Sequence, residues 1–206
     1  MVGTPPRLIR AAALAAALLG ASPAQAAEPR GMQVAGSCRD GQPHGAYQLR
    51  DADGRLRVAG AFNRGKRTSS FIFWSSAGVR IAHLPYDEGV VSGTVSLWYA
   101  EVPRGAEPRQ KLEAVYAAGT PDGPARSWHA NGMRRAVFVY ARGTLVDAQA
   151  WTPAGAKQDE AAARALAERD AAADRRYYAS LEAIVDTHPP RCDAPAAPAP
   201  GTQASR

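Results

Sequence analysis

Three tryptophans recur at related places along the chain, and arginines lie near each of them. Trp74, Trp98 and Trp128 are separated by 24 and 30 residues. Indole rings at equivalent positions of neighbouring structural units could form a strip that stacks on ligands or on a membrane interface. The alternative is that each ring fills the same core position in its unit, and the high average burial of tryptophan favours that position.

The arginines near this tryptophan column could bind carboxylate or phosphate groups through bidentate hydrogen bonds, although solvated surface is the default for such residues. They are Arg50, Arg80, Arg126 and Arg134. Positive charge concentrates on this part of the chain, since residues 27–155 carry 16 basic and 11 acidic groups whereas residues 156–206 carry 7 and 8. Such a surface attracts anionic partners, such as lipid headgroups or acidic polymers. A charge of this size is also ordinary for a protein that must stay soluble.

The residues that usually perform catalysis or bind metals are scattered. The histidines lie in separate parts of the sequence, at His44, His83, His129 and His188. None of them has the His-x3-His or Cys-x2-Cys spacing that holds a metal on one element, and no Gly-x-Ser-x-Gly elbow is present. Asp87 and Glu88 are adjacent, so they point to opposite faces of a strand. We therefore predict a protein that is not an enzyme, without catalytic residues, metal or cofactor.

The elements that position the tryptophans and arginines follow a repeat. A glycine recurs every 24 residues, at Gly41, Gly65 and Gly89, and after a short insertion at Gly119 and Gly143. A second glycine follows 13 residues later at Gly54, Gly78 and Gly132, and an aromatic column comprises Phe62, Tyr86, Tyr116 and Tyr140. The tryptophans come nine residues after their repeat glycine, with Arg50 and Thr152 at that place in the first and fifth units. A fixed period of this length indicates an array of stacked units.

Each unit contains two alternating segments separated by a turn signal. Asp53-Gly54 and Asn131-Gly132 are hairpin signals, because tight hairpins need positive φ. Leu56, Val58 and Phe62 alternate with arginines, as expected for a sheet with one covered face. Short connections keep successive strands antiparallel neighbours. The fold predicted for residues 38–155 is mainly β: a single meandering antiparallel sheet of about nine strands built from stacked hairpins.

A long amphipathic helix is predicted over residues 156–188, as cover for the apolar face of the sheet. Its apolar stripe is Ala162, Leu166, Ala173, Tyr177, Leu181 and Ile184. Pro189-Pro190 ends the helix, and we expect an Ala- and Pro-rich disordered tail over residues 189–206. The mature chain has two cysteines, Cys38 and Cys192. In an oxidising compartment we expect them to form a disulfide that clamps the helix, the alternative being two unpaired thiols.

The first residues are typical of a secretory leader. A basic start, an apolar run and a small-x-small site ending at Ala26 predict a signal peptide over residues 1–26, followed by a linker over 27–37. The alternative is an uncleaved anchor, although the apolar run is short for a membrane span. No other apolar run is long enough to enter a membrane. We therefore expect a soluble periplasmic or secreted protein.

The pattern Gly-x3-Gly-x-aromatic-x2-aromatic, then Asn/Asp-Gly, then a strand ending in Tyr or Phe resembles the bacterial variant of the MORN repeat. Residues 63–86 and 117–140 fit best, and the resemblance covers residues 38–155. The second family glycine is kept at Gly45, Gly93 and Gly123 but replaced by Ser69 and Asp147, and an insertion lies near residue 105. The resemblance implies hairpins added to an elongated sheet, with roles in scaffolding or contact with membrane surfaces.

The function expected from these observations is binding without catalysis. We predict an exported scaffold or binding module whose partner is an envelope protein of unknown identity or an anionic lipid or polymer surface, and not a nucleic acid. Some bacterial relatives of this repeat class carry an antitoxin label. The resemblance therefore leaves a second hypothesis open, an immunity or antitoxin-like protein that neutralises a toxin.

Overall fold

The computed structural model describes residues 31–101 and 106–192. These residues form one antiparallel sheet of 11 strands with one long helix packed on it. Each strand pairs with the next along the chain, except that β6 pairs with β5 alone and β7 takes the following place beside β5. The predicted meandering sheet is confirmed, with two strands more than expected. The strands are β1 (Gln33–Arg39), β2 (Gln42–Arg50), β3 (Leu56–Asn63), β4 (Lys66–Trp74), β5 (Arg80–Asp87), β6 (Val90–Val91), β7 (Gly93–Trp98), β8 (Gln110–Ala117), β9 (Thr120–Trp128), β10 (Arg134–Ala141) and β11 (Thr144–Ala150).

The recurring glycine lies in the two-residue turns that join successive units. At Arg64-Gly65, φ is 48° at the arginine and 78° at the glycine. Two consecutive positive φ values are characteristic of the type I′ turn, whose twist matches the twist of the flanking strands. The same conformation occurs at Asp40-Gly41, Glu88-Gly89, Ala118-Gly119 and Arg142-Gly143. The recurring glycine of the sequence therefore marks these two-residue turns. All of them lie on one side of the sheet, where successive strands are joined.

Longer loops at the second glycines form the other end. The N–H of Gly54 donates to the carbonyl of Asp51 at 2.9 Å, and the N–H of Asp51 donates to the carbonyl of Arg55 at 2.9 Å. This pattern, with positive φ at Gly54, is a three-residue loop in which a type I turn is followed by a glycine bulge. The loops at Gly78, Gly132 and Gly155 repeat both hydrogen bonds. The Asp-Gly and Asn-Gly signals therefore mark hairpins, as predicted.

The helix α1 (Glu160–Asp186) begins at an N-cap, where the Asp159 carboxylate accepts a hydrogen bond from the N–H of Ala162 at 2.7 Å. It crosses one face of the sheet, which we call the covered face. Its buried residues are Ala163, Ala167, Tyr178, Leu181 and Val185. Of the predicted stripe, Leu181 is buried and Leu166, Tyr177 and Ile184 pack half-buried against the core, whereas Ala173 is exposed. The side of α1 that faces the sheet also contains Asp170 and Asp174. These two polar residues interrupt the apolar periodicity of the sequence.

The core lies between α1 and alternate residues of the strands. Phe71 and Leu84 are fully buried in the middle strands, and Tyr47 and Val58 continue the core toward β1. Gly60 leaves room for Phe71, since a Cβ atom there would lie 2.6 Å from the ring. Alternation then places the intervening residues on the opposite side of the sheet. We call that side the open face.

A disulfide joins Cys38 in β1 to Cys192 beyond the helix, as predicted, with a Cα–Cα distance of 5.4 Å. Pro190 is buried on this end of the sheet. The predicted boundaries are wrong on both sides of the bridge. Residues 33–37 form part of β1 instead of a linker, and Pro190 packs against Gly36 of the sheet instead of belonging to a tail. The predicted leader, the distal tail and residues 102–105 of the insertion lie outside the described residues.

Candidate functional site

The tryptophans project from the open face. Phe73, Leu97 and Ser127 are buried on the covered face, and each is followed directly by a tryptophan of the column. Successive side chains of a strand point to opposite faces. Trp74, Trp98 and Trp128 are accordingly half-buried and lie outside the buried core. The interpretation that favoured a core position is therefore wrong for this column.

Strand pairing brings the predicted arginines between the tryptophans. Trp74 pairs with Arg80 across β4 and β5, and Trp128 pairs with Arg134 across β9 and β10. Trp98 pairs with Gln110. These residues, with Arg50 at one end and Trp151 at the other, form a line across the sheet beside the three-residue loops. We call it the Trp–Arg row: Arg50, Trp74, Arg80, Trp98, Gln110, Trp128, Arg134 and Trp151.

Cation–π contacts order this row. The guanidinium carbon of Arg80 lies 4.1 Å from the ring centroid of Trp98, and that of Arg134 lies 5.5 Å from the ring centroid of Trp151. Each arginine therefore pairs with one tryptophan across a hairpin and stacks on the next tryptophan along the row. A guanidinium that stacks on an indole keeps its N–H groups at its edge for hydrogen bonds to an anion.

The arginines of the row lack an acidic partner within the described part of the chain. Among the described residues, Arg50, Arg80 and Arg134 make no salt bridge, and both Arg80 and Arg134 are exposed. Arg50 instead donates to the carbonyl of Gly54 at 3.0 Å. Arg126 differs from these three, because its guanidinium contacts the Glu113 carboxylate at 3.4 Å. Arg126 lies on the open face outside the Trp–Arg row. It is the least suited of the four predicted arginines to bind an anion.

Trp151 is the member of the row that the sequence analysis missed. In the first four units, two extra residues bulge out of the first strand, whereas β11 carries one extra residue between Leu145 and Asp147. The fifth unit is thus shorter by one, and its tryptophan comes eight residues after Gly143 instead of nine. Gly155 is displaced by the same single residue. A search that allowed this one-residue deletion would have found both.

The second aromatic column lies on the covered face and holds the helix. Phe62 packs edge-on against Tyr47 and Phe71, with centroids 5.4 and 5.5 Å apart. The Tyr86 hydroxyl donates to the Glu182 carboxylate at 2.9 Å, and the Tyr116 ring meets that of Tyr178. Tyr140 packs against the same core. These aromatic residues are structural and take no part in the open face.

Charged groups also join the helix to the sheet. Arg135 forms a bidentate pair with Asp170, one contact being 2.8 Å, and Arg67 pairs with Asp186. Burial, followed by the charge of Asp170, raises the pKa of the Asp174 carboxyl to about 6. On the open face, burial and then the charge of Arg80 lower the pKa of the His83 imidazole. Both effects favour the neutral form of the His83 imidazole.

Residues 31–101 and 106–192 bring together no three histidine, cysteine or acidic side chains in the manner of a metal site. No helix within these ranges has the length and hydropathy to cross a membrane. No protein-family model matches the chain, and no curated protein shows a significant match to it.

Proposed function

We propose that this chain is an exported, non-catalytic binding module of the cell envelope whose Trp–Arg row binds an extended anionic partner. The observation that carries the proposal is the row itself. It places four tryptophans and three arginines in one line across the open face, where α1 does not reach. Tryptophan and arginine are the residue types most enriched where protein surfaces bind partners.

The spacing of the row favours an extended ligand over a compact one. Its tryptophans come from every second strand of the sheet, which separates them by about 10 Å. The tryptophans of the row, from Trp74 to Trp151, span about 29 Å of sheet. A regular line of this length suits a polymer or a surface that presents repeated groups, whereas a small molecule would occupy one interval.

The charge of the row favours an anionic ligand. Arg50, Arg80 and Arg134 form no salt bridge with the described residues, and Arg80 and Arg134 already stack on indole rings. Their orientation is therefore fixed before a ligand arrives, which lowers the entropic cost of binding. Carboxylate and phosphate groups are the natural acceptors for guanidinium.

Export rests on the predicted leader and is compatible with the disulfide, because disulfides persist in oxidising compartments. The hairpin order of the sheet supports the resemblance to the bacterial MORN variant, and we retain membership of that repeat class as part of the proposal. No contact among the described residues favours the antitoxin hypothesis. It stays a prediction from resemblance alone.

Cosedimentation tests the proposal. Purified protein is mixed with polygalacturonate, with neutral dextran, and with vesicles of phosphatidylglycerol or phosphatidylcholine. We expect binding to the acidic polymer and none to dextran. The double variant Arg80→Gln/Arg134→Gln should weaken that binding about tenfold or more, because it removes two charge-assisted contacts. Replacing Trp98 and Trp151 by leucine should weaken it as well, since the arginines then lose their stacking partners.

A matched control separates the row from net charge. Arg169→Gln/Arg176→Gln removes the same charge from exposed positions of α1, on the other side of the sheet. This control should bind the polymer within about twofold of the unchanged protein. Equal losses in both double variants would mean non-specific attraction and would sink the proposal. Binding to phosphatidylglycerol vesicles and not to polygalacturonate would indicate that the anionic partner is a membrane surface.

A further inference from the structure

A cavity on the covered face has no part in the Trp–Arg row. It has a volume of about 430 Å³ and lies between α1 and the two-residue turns of the middle units. Small residues create its space, since Gly89 and Gly119 line the turn side and Ala171 and Ala179 line the helix side. The volume falls within the range of sites that bind small molecules.

The walls of this cavity are apolar apart from its two charged residues. Val90, Val91 and Pro121 form the sheet side, and the rings of Tyr116 and Tyr178 close the rest. Val90 is 46% exposed, so its side chain is accessible from the cavity. An apolar ligand group could cover it at this position.

The two charged residues have opposite signs and lie apart. Arg175 and Glu182 both line the cavity from α1. They are seven residues apart, which is two turns of helix and about 10 Å along its axis. Neither forms a salt bridge within the described residues. One oxygen of Glu182 accepts a hydrogen bond from Tyr86, which fixes the carboxylate and leaves its second oxygen for a ligand.

We propose that this cavity binds a short zwitterionic peptide with an apolar side chain. Its carboxylate would pair with Arg175, its ammonium group with Glu182, and its side chain would cover Val90. The length of the peptide matches the spacing of the two helix positions, because two or three extended residues span about 7–11 Å against about 10 Å along the helix axis. A single amino acid or a zwitterionic lipid headgroup is shorter than this spacing. The proposal is independent of what the Trp–Arg row binds.

Isothermal titration with the tripeptide Ala-Leu-Ala tests this assignment. We expect a dissociation constant of about 1 mM or tighter, consistent with two exposed charge pairs and one buried side chain. The same tripeptide, acetylated and amidated to remove both charges, should bind at least fivefold more weakly. Free leucine should bind more weakly too, since it cannot span the two charges.

Variants locate the site. Arg175→Gln and Glu182→Gln should each weaken binding about five- to tenfold, and the glutamine at 182 keeps an acceptor for Tyr86. Ala179→Leu should abolish binding by filling the cavity while preserving the helix. Arg176→Gln, one residue outside the cavity, is the matched control and should bind normally. Circular dichroism of each variant checks that the fold is retained.

Three results would overturn the proposal. The first is absence of heat and of chemical-shift changes up to the solubility limit of the free tripeptide. The second is equal affinity for the free and the capped peptide, which would leave the two charges without a role. The third is unchanged binding in Ala179→Leu, which would place the peptide elsewhere. Polymer binding through the Trp–Arg row should be unaffected by all of these variants.

Discussion

Replacing Asp174 by asparagine should stabilise this protein above pH 6. Asp174 lies on the side of α1 that faces the sheet, where burial and the charge of Asp170 raise its pKa, although Lys111 and Arg135 oppose the shift. A raised pKa means that the folded state costs free energy to keep this carboxyl ionised. Asparagine has nearly the same shape and is never ionised, so it removes this cost.

The magnitude follows from the pKa of about 6, against an ordinary value of 3.8. A shift of about two units corresponds to about 3 kcal/mol at most. Because Asp174 retains some exposure to solvent, which screens its charge, we expect a gain of about 1–2 kcal/mol. The folded state binds the proton more tightly than the unfolded state. The penalty is therefore complete above the folded pKa and disappears as pH falls toward the unfolded value.

Urea unfolding of both proteins at about pH 8 and about pH 4 measures this effect. The two stabilities should differ at the higher pH and converge at the lower one. Glu168→Gln, an exposed carboxyl on the same helix, is the control and should follow the unchanged protein. Two results would refute this reasoning: no gain in the free energy of unfolding of Asp174→Asn at the higher pH, or the same gain at both pH values. Either would mean that ionisation of the Asp174 carboxyl does not destabilise the folded state.

Three further predictions concern the sheet and its clamp. Ser69 has a φ of 60°, where three other units have glycine, so Ser69→Gly should raise the free energy of unfolding by about 0.5–1 kcal/mol; an unchanged or lower value in urea would contradict the strain. Gly60→Ala should lower it by about 1–3 kcal/mol, because the new methyl group would overlap Phe71; an unaltered melting temperature would count against this packing. Replacing Cys38 and Cys192 by serine should cost up to about 5 kcal/mol in the chain-entropy model. Reaction of the unchanged protein with a thiol reagent before reduction would show that the disulfide does not form.

The hairpins could be predicted because their signals are local. The conformation of Arg64-Gly65 or of the Asp51–Arg55 loop depends on the residues of the turn itself, and glycine supplies the positive φ that each turn needs. Once the turns are known, short connections leave antiparallel neighbours as the only simple order. The single sheet and its covering helix follow from the same information.

The side of the sheet on which each column lies was harder to predict. Phe62 and Trp74 are both aromatic and both recur, yet Phe62 packs under α1 and Trp74 faces away from it. A one-residue bulge beside each three-residue loop changes the alternation between the two strands of a hairpin, so counting from the repeat glycine does not give the face of both columns. Average burial of tryptophan then favoured the wrong side.

The helix shows the same limit. The side of α1 that faces the sheet also includes Asp170 and Asp174, which the apolar period alone could not select. What keeps Asp170 in the interface is Arg135, which lies 35 positions away and reaches the helix from β10. A local window of sequence contains no information about such a partner.

The amino-acid sequence by itself determined the unit, its two turns, the hairpin order and the presence of a covering helix. Each of these is specified by residues close together in the chain. The tertiary structure alone decided that tryptophans and arginines from five units form one line on the open face, and that Arg175 and Glu182 border one cavity. These arrangements depend on strand register and on the docking of α1, which are fixed by contacts between distant residues.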